Sequence, residues 1–220
     1  MRVAVLASGK GTNLQALLDA SAAGLLDARV SLAVSDRFAA PALRKAEAAD
    51  VPTLVLPPEE DEAPAAYDAR LAEALAAERP GLVVLAGFMR ILGPRTLAAF
   101  PDRVVNVHPS LLPAFKGAHG VRDALRAGSR ISGCTTHLVT ADLDGGPIVL
   151  QAALPVRADD DARSLAARIH ALEHQILPRT VQLAAEGRIV AEDGRARILP
   201  GPSWRGRVEP VPDAVYPDGF

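Results

Sequence analysis

The chain has 220 residues, 26 acidic against 24 basic side chains, and a formal net charge of −2; 49% of it is hydrophobic and only 4% aromatic. That length suits one large domain, or one with an extension, and buries a sizeable core. The charge balance supplies no basic face for nucleic acid, no apolar run reaches the roughly 18 residues of a membrane helix, and the single Cys134 excludes an intrachain disulfide or a thiolate metal cluster.

Residues 3–7 read as a buried strand, followed by Ser8-Gly9-Lys10-Gly11-Thr12-Asn13 and a helical pattern over residues 14–18. Strand, glycine loop and helix together cradle a phosphate: glycines let the backbone approach, and free N–H groups at the helix start face the anion. Lys10 adds charge, and Thr12 or Asn13 caps the helix or binds directly. The loop is no Walker A, and Leu14 stands where the third glycine of a dinucleotide fingerprint belongs. Asp36, just past a second strand at residues 30–34, keeps a nicotinamide-binding alternative open. A helix over 41–49 and a short strand over 53–56 come next, then an acidic loop over 57–62. Residues 65–78 form a helix with Tyr67, Leu71 and Leu75 on one stripe. A fourth strand, 82–86, runs into Gly87-Phe88-Met89-Arg90-Ile91-Leu92, an apolar segment suited to wall a pocket, and 94–100 form a short helix.

The next strand ends in Asn106-Val107-His108-Pro109-Ser110-Leu111-Leu112-Pro113. Asn106 and His108 are two apart, so they point the same way. They sit at a carboxyl end, where open α/β sheets place their ligands. A helix over 121–127 follows, then strands over 131–140 and 147–157 joined through Thr140-Ala141-Asp142-Leu143-Asp144-Gly145-Gly146-Pro147. A long helix over 161–186 carries His170, Glu173 and His174. Residues 187–200 suggest a hairpin about Asp193-Gly194, and the proline- and glycine-rich 201–220 an irregular tail. Repeated strand–helix alternation implies parallel strands with right-handed crossovers. The expected fold is α/β: an open, mostly parallel twisted sheet, Rossmann-like, with helices on both faces. Residues 1–187 form the domain, and 188–220 a C-terminal hairpin and irregular tail packed on it.

Few groups are left for chemistry. There is no nucleophile elbow for Ser110, Cys134 reads as strand packing, and His170 and His174 lack the H-E-x-x-H pattern, so no metal is expected. An amide, an imidazole and a carboxylate remain: Asn106, His108 and Asp144. They suit direct transfer through a tetrahedral oxyanion, without covalent enzyme chemistry.

Four stretches carry a resemblance over residues 1–187: the loop 8–13, residues 86–92, residues 106–113 and residues 142–147. Together they resemble the folate-dependent formyltransferase family, and the glycine loop narrows it to the phosphoribosylglycinamide formyltransferases (GAR transformylases). The resemblance implies formyl transfer from 10-formyltetrahydrofolate to the amine of glycinamide ribonucleotide in purine biosynthesis. It implies that Gly11, Thr12 and Asn13 hold the ribonucleotide phosphate and that Glu173 contacts its ribose or amine end. Met89, Arg90, Ile91 and Leu92 with Thr140, Ala141, Asp142, Leu143 and Asp144 would line the pterin pocket beside Asn106. Asn106 and protonated His108 would stabilise the oxyanion, with Asp144 holding the histidine protonated and relaying a proton. The expected partners are these small molecules, with no nucleic acid, no membrane and a homodimer left open; the expected location, given no signal-peptide pattern, is cytoplasmic. The chain departs from the family at Pro64, where members often carry an arginine near the folate, and across residues 116–121, although Gly117 and His119 match. The alternatives are another 10-formyltetrahydrofolate transferase or hydrolase, a nicotinamide oxidoreductase, and a catalytically silent nucleotide-binding module. Methionyl-tRNA formyltransferase would add a C-terminal RNA-binding domain and the hydrolase an N-terminal regulatory one, and this length leaves room for neither.

Overall fold

The structure is a computed structural model that describes residues 1–206 and 211–217; the expected irregular tail therefore lies outside the described residues at 207–210 and 218–220. Its strands are β1 Arg2–Leu6, β2 Arg29–Ser35, β3 Thr53–Val55, β4 Leu82–Leu85, β5 Val104–His108, β6 Ile131–Leu138, β7 Ile148–Pro155, β8 Ile189–Glu192 and β9 Arg195–Ile198. Its helices are α1 Thr12–Ala22, α2 Pro41–Glu47, α3 Pro64–Glu78, α4 Pro94–Ala99, α5 Gly120–Arg126 and α6 Ala162–Ala185. Prolines at the first position start α2, α3 and α4, where a missing N–H costs nothing. Pro64 thus opens a helix. A capping box of Asp161 and Ser164 starts α6.

Seven strands form one sheet in the order β3-β2-β1-β4-β5-β6-β7, and β8-β9 form a separate hairpin. β1 to β5 pair in parallel, whereas β5–β6 and β6–β7 are antiparallel. The order reverses between β1 and β4, which opens a crevice beyond their carboxyl ends. On one face, Val3, Val5, Val105 and Val107 pack with α1, α2 and α6. On the other, Ala4, Leu6, Val83 and Val104 pack with Tyr67, Leu71 and Leu75 of α3. The strand period of two sends alternate residues of β5 into separate cores. Val104 belongs to the α3 side, so Asn106 and His108, in step with it, share that face.

The α3–α4 layer holds itself in register through one carboxylate. Asp68, buried on α3, accepts from the N–H groups of Gly93 (2.9 Å) and Arg95 (2.8 Å) and from Thr96 Oγ1 (2.6 Å). It satisfies donors at the start of α4 that have no partner inside that helix. Phe88, Leu92, Leu97 and Phe100 complete the apolar contacts there. Past β9, Val215 bridges Ala153 and covers part of β7, the sheet's edge strand.

Candidate active site

Asn106 and His108 reach the same side of β5, and the turn after β6 folds back to bring Asp144 against both. Asp144 Oδ2 lies 3.4 Å from His108 Nδ1, and its Oδ1 lies 3.4 Å from the Asn106 amide nitrogen. All three expected groups therefore meet. Both carboxylate and imidazole are almost wholly removed from solvent. The backbone N–H of Gly117 donates to Asp144 Oδ2 at 2.8 Å, and His108 Nε2 lies 2.9 Å from the Phe115 carbonyl. Both histidine nitrogens thus face oxygens, and a doubly protonated ring would satisfy each. Asp144 itself is in the left-handed region (φ 47), a conformation Asp tolerates better than most side chains.

A fourth group joins them. His137 stands directly opposite Asn106 in the β5–β6 pairing, so their side chains share a face. Its Nε2 is 3.1 Å from Asn106 Nδ2 and 3.6 Å from Asp144 Oδ1. Burial lowers the pKa of His137, against the smaller raising effects of the Leu138 carbonyl and Asp144. No sequence motif singles out His137. The available signal was a histidine near the end of β6, which gains meaning only once the antiparallel register is known.

The loop after β5 is anchored by buried side chains. Thr135 Oγ1 donates to the Ser110 carbonyl (2.7 Å) and accepts from the Leu112 N–H (3.1 Å), while Gln151 donates to the Leu112 carbonyl (2.9 Å). Ser110 Oγ donates to the Ala114 carbonyl at 2.6 Å, so it serves the loop. The Leu112–Pro113 bond is cis.

The glycine loop follows β1 as expected. Gly11 takes φ +69, and a Cβ there would come within 2.6 Å of Ala42 Cα, so close packing of the loop on α2 also demands glycine. α1 has no side-chain cap, leaving the N–H groups of Thr12, Asn13 and Leu14 without partners inside the helix. Asn13 Nδ2 donates to Glu173 Oε2 (2.8 Å), which also meets His170 Nδ1 (2.9 Å). The bond to Glu173 raises the pKa of His170. Glu173 is buried and locks the loop to α6, and Asn13 Oδ1 is buried without a partner among the described residues.

The expected apolar wall divides. Met89, Ile91 and Leu143 are 62, 73 and 52% exposed, whereas Leu92 is 5% exposed and belongs to the α3-side core. The side chain of Leu92 is thus not part of a pocket surface. Ser8 Oγ accepts from the Met89 N–H at 2.9 Å, tying the glycine loop to this wall. Arg90 Nε donates to Asp36 Oδ2 at 3.0 Å and its guanidinium lies over Tyr67, while Asp36 Oδ1 is buried without a hydrogen-bond partner among the described residues. Thr140, Ala141 and Asp142 lie on the turn that delivers Asp144, exposed or nearly so. A separate cleft of about 880 Å³ between α1, α6 and the tail touches the glycine loop only at Thr12 and contains none of the β5 groups. Among the described residues no group of His, Cys, Asp and Glu could hold a metal ion, and no helix is long and apolar enough to cross a membrane.

Comparison with known proteins gives this arrangement a context. The sequence profile of the formyl transferase family matches residues 1–181. The phosphoribosylglycinamide formyltransferase of Mycobacterium tuberculosis (strain CDC 1551 / Oshkosh) is 46% identical over 184 residues, covering 84% of this chain and 85% of that protein. The crystal structure of glycinamide ribonucleotide transformylase 1 from Symbiobacterium toebii superposes with a TM-score of 0.89 at 48% identity, covering 91% of this chain and 94% of that one. The trifunctional purine biosynthetic protein adenosine-3 of Drosophila melanogaster is 44% identical over 189 residues, 84% of this chain but 14% of that protein. The chain spans only a small part of that longer relative.

Proposed function

The chain belongs to the formyl transferase family, and from that premise we propose that it moves the formyl group of 10-formyltetrahydrofolate to the amine of glycinamide ribonucleotide, a step of purine biosynthesis. The observation that carries this reading is the meeting of Asn106, His108 and Asp144 at the end of β5, in a chain that matches a stand-alone phosphoribosylglycinamide formyltransferase over most of both lengths. Both reactants are small molecules, and the cytoplasm is the compartment that suits them.

The phosphate of the ribonucleotide sits against the uncapped start of α1, where the first-turn N–H groups and the positive end of the helix dipole favour an anion. Gly11, Thr12 and Asn13 line it, and Lys10 adds a charge at the rim. Glu173 and the unpartnered Asn13 Oδ1 accept from the hydroxyl or amine donors of the same ligand. The flat pterin lies over Met89, Ile91 and Leu143, large apolar side chains otherwise left in solvent. The main chain of residues 89–92 and 140–144 supplies its hydrogen bonds.

At the centre, Asn106 has one amide N–H committed to His137, while the other faces Asp144 across a long 3.4 Å. That second N–H turns to the formyl oxygen as negative charge grows there. His108 stabilises the same oxygen and gives a proton to N10 as the N10–carbon bond breaks. Asp144 takes up the proton that the attacking amine loses and passes a proton to His108 Nδ1, which returns the pair to its starting state. Holding amine and formyl carbon together supplies much of the rate. Calorimetry separates this from the nicotinamide alternative: a clear heat is expected with glycinamide ribonucleotide and none with NAD(H). The reverse pattern would overturn it.

A further inference from the structure

His108 and Asp144 do not hold each other in place unaided; the main chain of two residues in the loop after β5 holds both. The Phe115 carbonyl faces His108 Nε2 at 2.9 Å, and two residues later the Gly117 N–H donates to Asp144 Oδ2 at 2.8 Å. This short run bends sharply. Phe115 takes φ 55, a left-handed conformation a bulky residue rarely adopts, and Gly117 takes φ 89. The bend turns the carbonyl of one residue and the N–H of the other toward the same pair. Such strained backbone persists only where its surroundings over-determine it, and here they do. Ser110 Oγ also approaches the Phe115 carbonyl at 3.3 Å. Gly120 packs so closely that a Cβ would lie 3.1 Å from that carbonyl and 3.3 Å from His108 Nε2.

The hydrogen bond made by one imidazole nitrogen decides what the other can do. With Nε2 committed to a backbone carbonyl, Nδ1 is the nitrogen left for chemistry, and its partner Asp144 stands 3.4 Å away, farther than a strong charge-assisted bond. Gly117 sets that separation by drawing Oδ2 toward the loop. We propose that the Phe115–Gly117 backbone is a positioning element that makes His108 Nδ1 the working atom and keeps Asp144 from binding it tightly, so that both groups are free to turn to a substrate. This rests on the formyl-transfer reading for what the pair acts upon, but the geometry it describes belongs to the free protein.

Three variants disturb the element separately. Gly117→Ala has open space for its methyl, so only the positive φ resists it; an ester in place of the amide at Gly117 exchanges the N–H donor for an oxygen that cannot donate to Asp144; Gly120→Ala presses on the Phe115 carbonyl and His108 Nε2. Gly128→Ala, also at positive φ (+69) with open space and outside the site, controls for strain in general. The measurements are kcat, both KM values, Tm, and the imidazole nitrogen resonances of ¹⁵N-labelled protein. In the three loop variants kcat should fall about tenfold or more, as misplacement of a reacting group does, with both KM values within about twofold of wild type. Gly120→Ala should also move the His108 Nε2 resonance. Gly128→Ala should change Tm alone. A folded ester variant with wild-type kcat, or a Gly120→Ala protein with an unmoved His108 Nε2 resonance, would overturn the positioning role. If the wild type itself transfers no formyl group, the proposed function fails instead, and the nitrogen resonances still decide whether the loop holds His108.

Discussion

The amide nitrogen of Asn106 lies 3.1 Å from Nε2 of His137, and this contact fixes the direction of both side chains. His137 Nδ1 lies 2.9 Å from the Leu138 carbonyl and donates to it, which leaves Nε2 as an acceptor for the amide. The ring must be neutral for this to hold. Burial, which lowers its pKa, keeps it so.

A pH dependence follows. The folded protein binds a proton at His137 less readily than the unfolded chain does, so the stability from the neutral ring is complete above the unfolded value of ~6.5. It is lost as the pH falls through that value toward the lowered folded pKa. His137→Leu leaves the amide without its acceptor, at about 1–3 kcal/mol for a buried donor. The kcat should drop about tenfold, the equivalent of ~1.4 kcal/mol, with KM values little changed. His137→Gln, which offers a carbonyl oxygen and does not titrate, should recover much of the loss and weaken the acid limb of the pH–rate profile. Kinetics from pH 5 to 8 on the three proteins, with melting curves alongside, would show it. Equal losses in both variants would mean that the hydrogen bond is not what matters.

Asp144→Asn keeps the side-chain shape and an oxygen for the Gly117 N–H while removing the charge beside His108. The chemical step should slow by more than tenfold, roughly 1.4 kcal/mol or more. His108→Asn should cost at least as much, and the double variant little beyond either, because groups acting as one unit are not additive. Single-turnover rates for the four proteins make the cycle. Losses that multiply in the double variant would show two independent roles.

The glycine loop separates a folding effect from a binding one. Gly11→Ala drives a methyl into Ala42 at an unfavourable φ, so it should lower Tm as well as ribonucleotide affinity, at about 1–3 kcal/mol of strain. Lys10 is exposed, so Lys10→Gln should leave Tm alone. It should raise the ribonucleotide KM about fivefold, near ~1 kcal/mol for one charged contact. An unchanged KM would remove Lys10 from the phosphate site.

Leu92 and Ile91 are neighbours with opposite fates. Leu92→Ala should cost about 2–5 kcal/mol of stability as a core truncation, with folate KM affected only slightly. Ile91→Trp and Leu143→Trp, both on exposed side chains, should spare Tm and weaken folate binding by obstructing a flat ligand. Folate titrations on the folded variants decide this; unaltered affinity in both Trp variants would put the pterin elsewhere.

These contrasts show why some of the site was legible in the sequence and some was not. Asn106 and His108 are local: a polar pair at i and i+2 in an apolar strand announces itself, and Asp144 sits in a glycine-rich turn. The parallel half of the sheet follows from strand–helix alternation. The helix before β6 reads as one more crossover, yet β6 runs antiparallel to β5. That reversal is what brings His137 across from Asn106, so the residue stayed hidden with it. Residues 87–92 read as one apolar run, and only the packing on α3 separates buried Leu92 from exposed Met89 and Ile91. The contacts of Phe115 and Gly117 are made by main chain at positive φ, which side-chain motifs do not encode.

The most direct test of the central claim is to incubate the purified chain with 10-formyltetrahydrofolate, with and without glycinamide ribonucleotide, following deformylation of the folate by absorbance and the formylated ribonucleotide by mass. The expected result is folate turnover that requires the ribonucleotide and yields one formylated product per formyl group lost. Turnover at the same rate without the ribonucleotide, or none with it, would contradict formyl transfer as the activity of this chain.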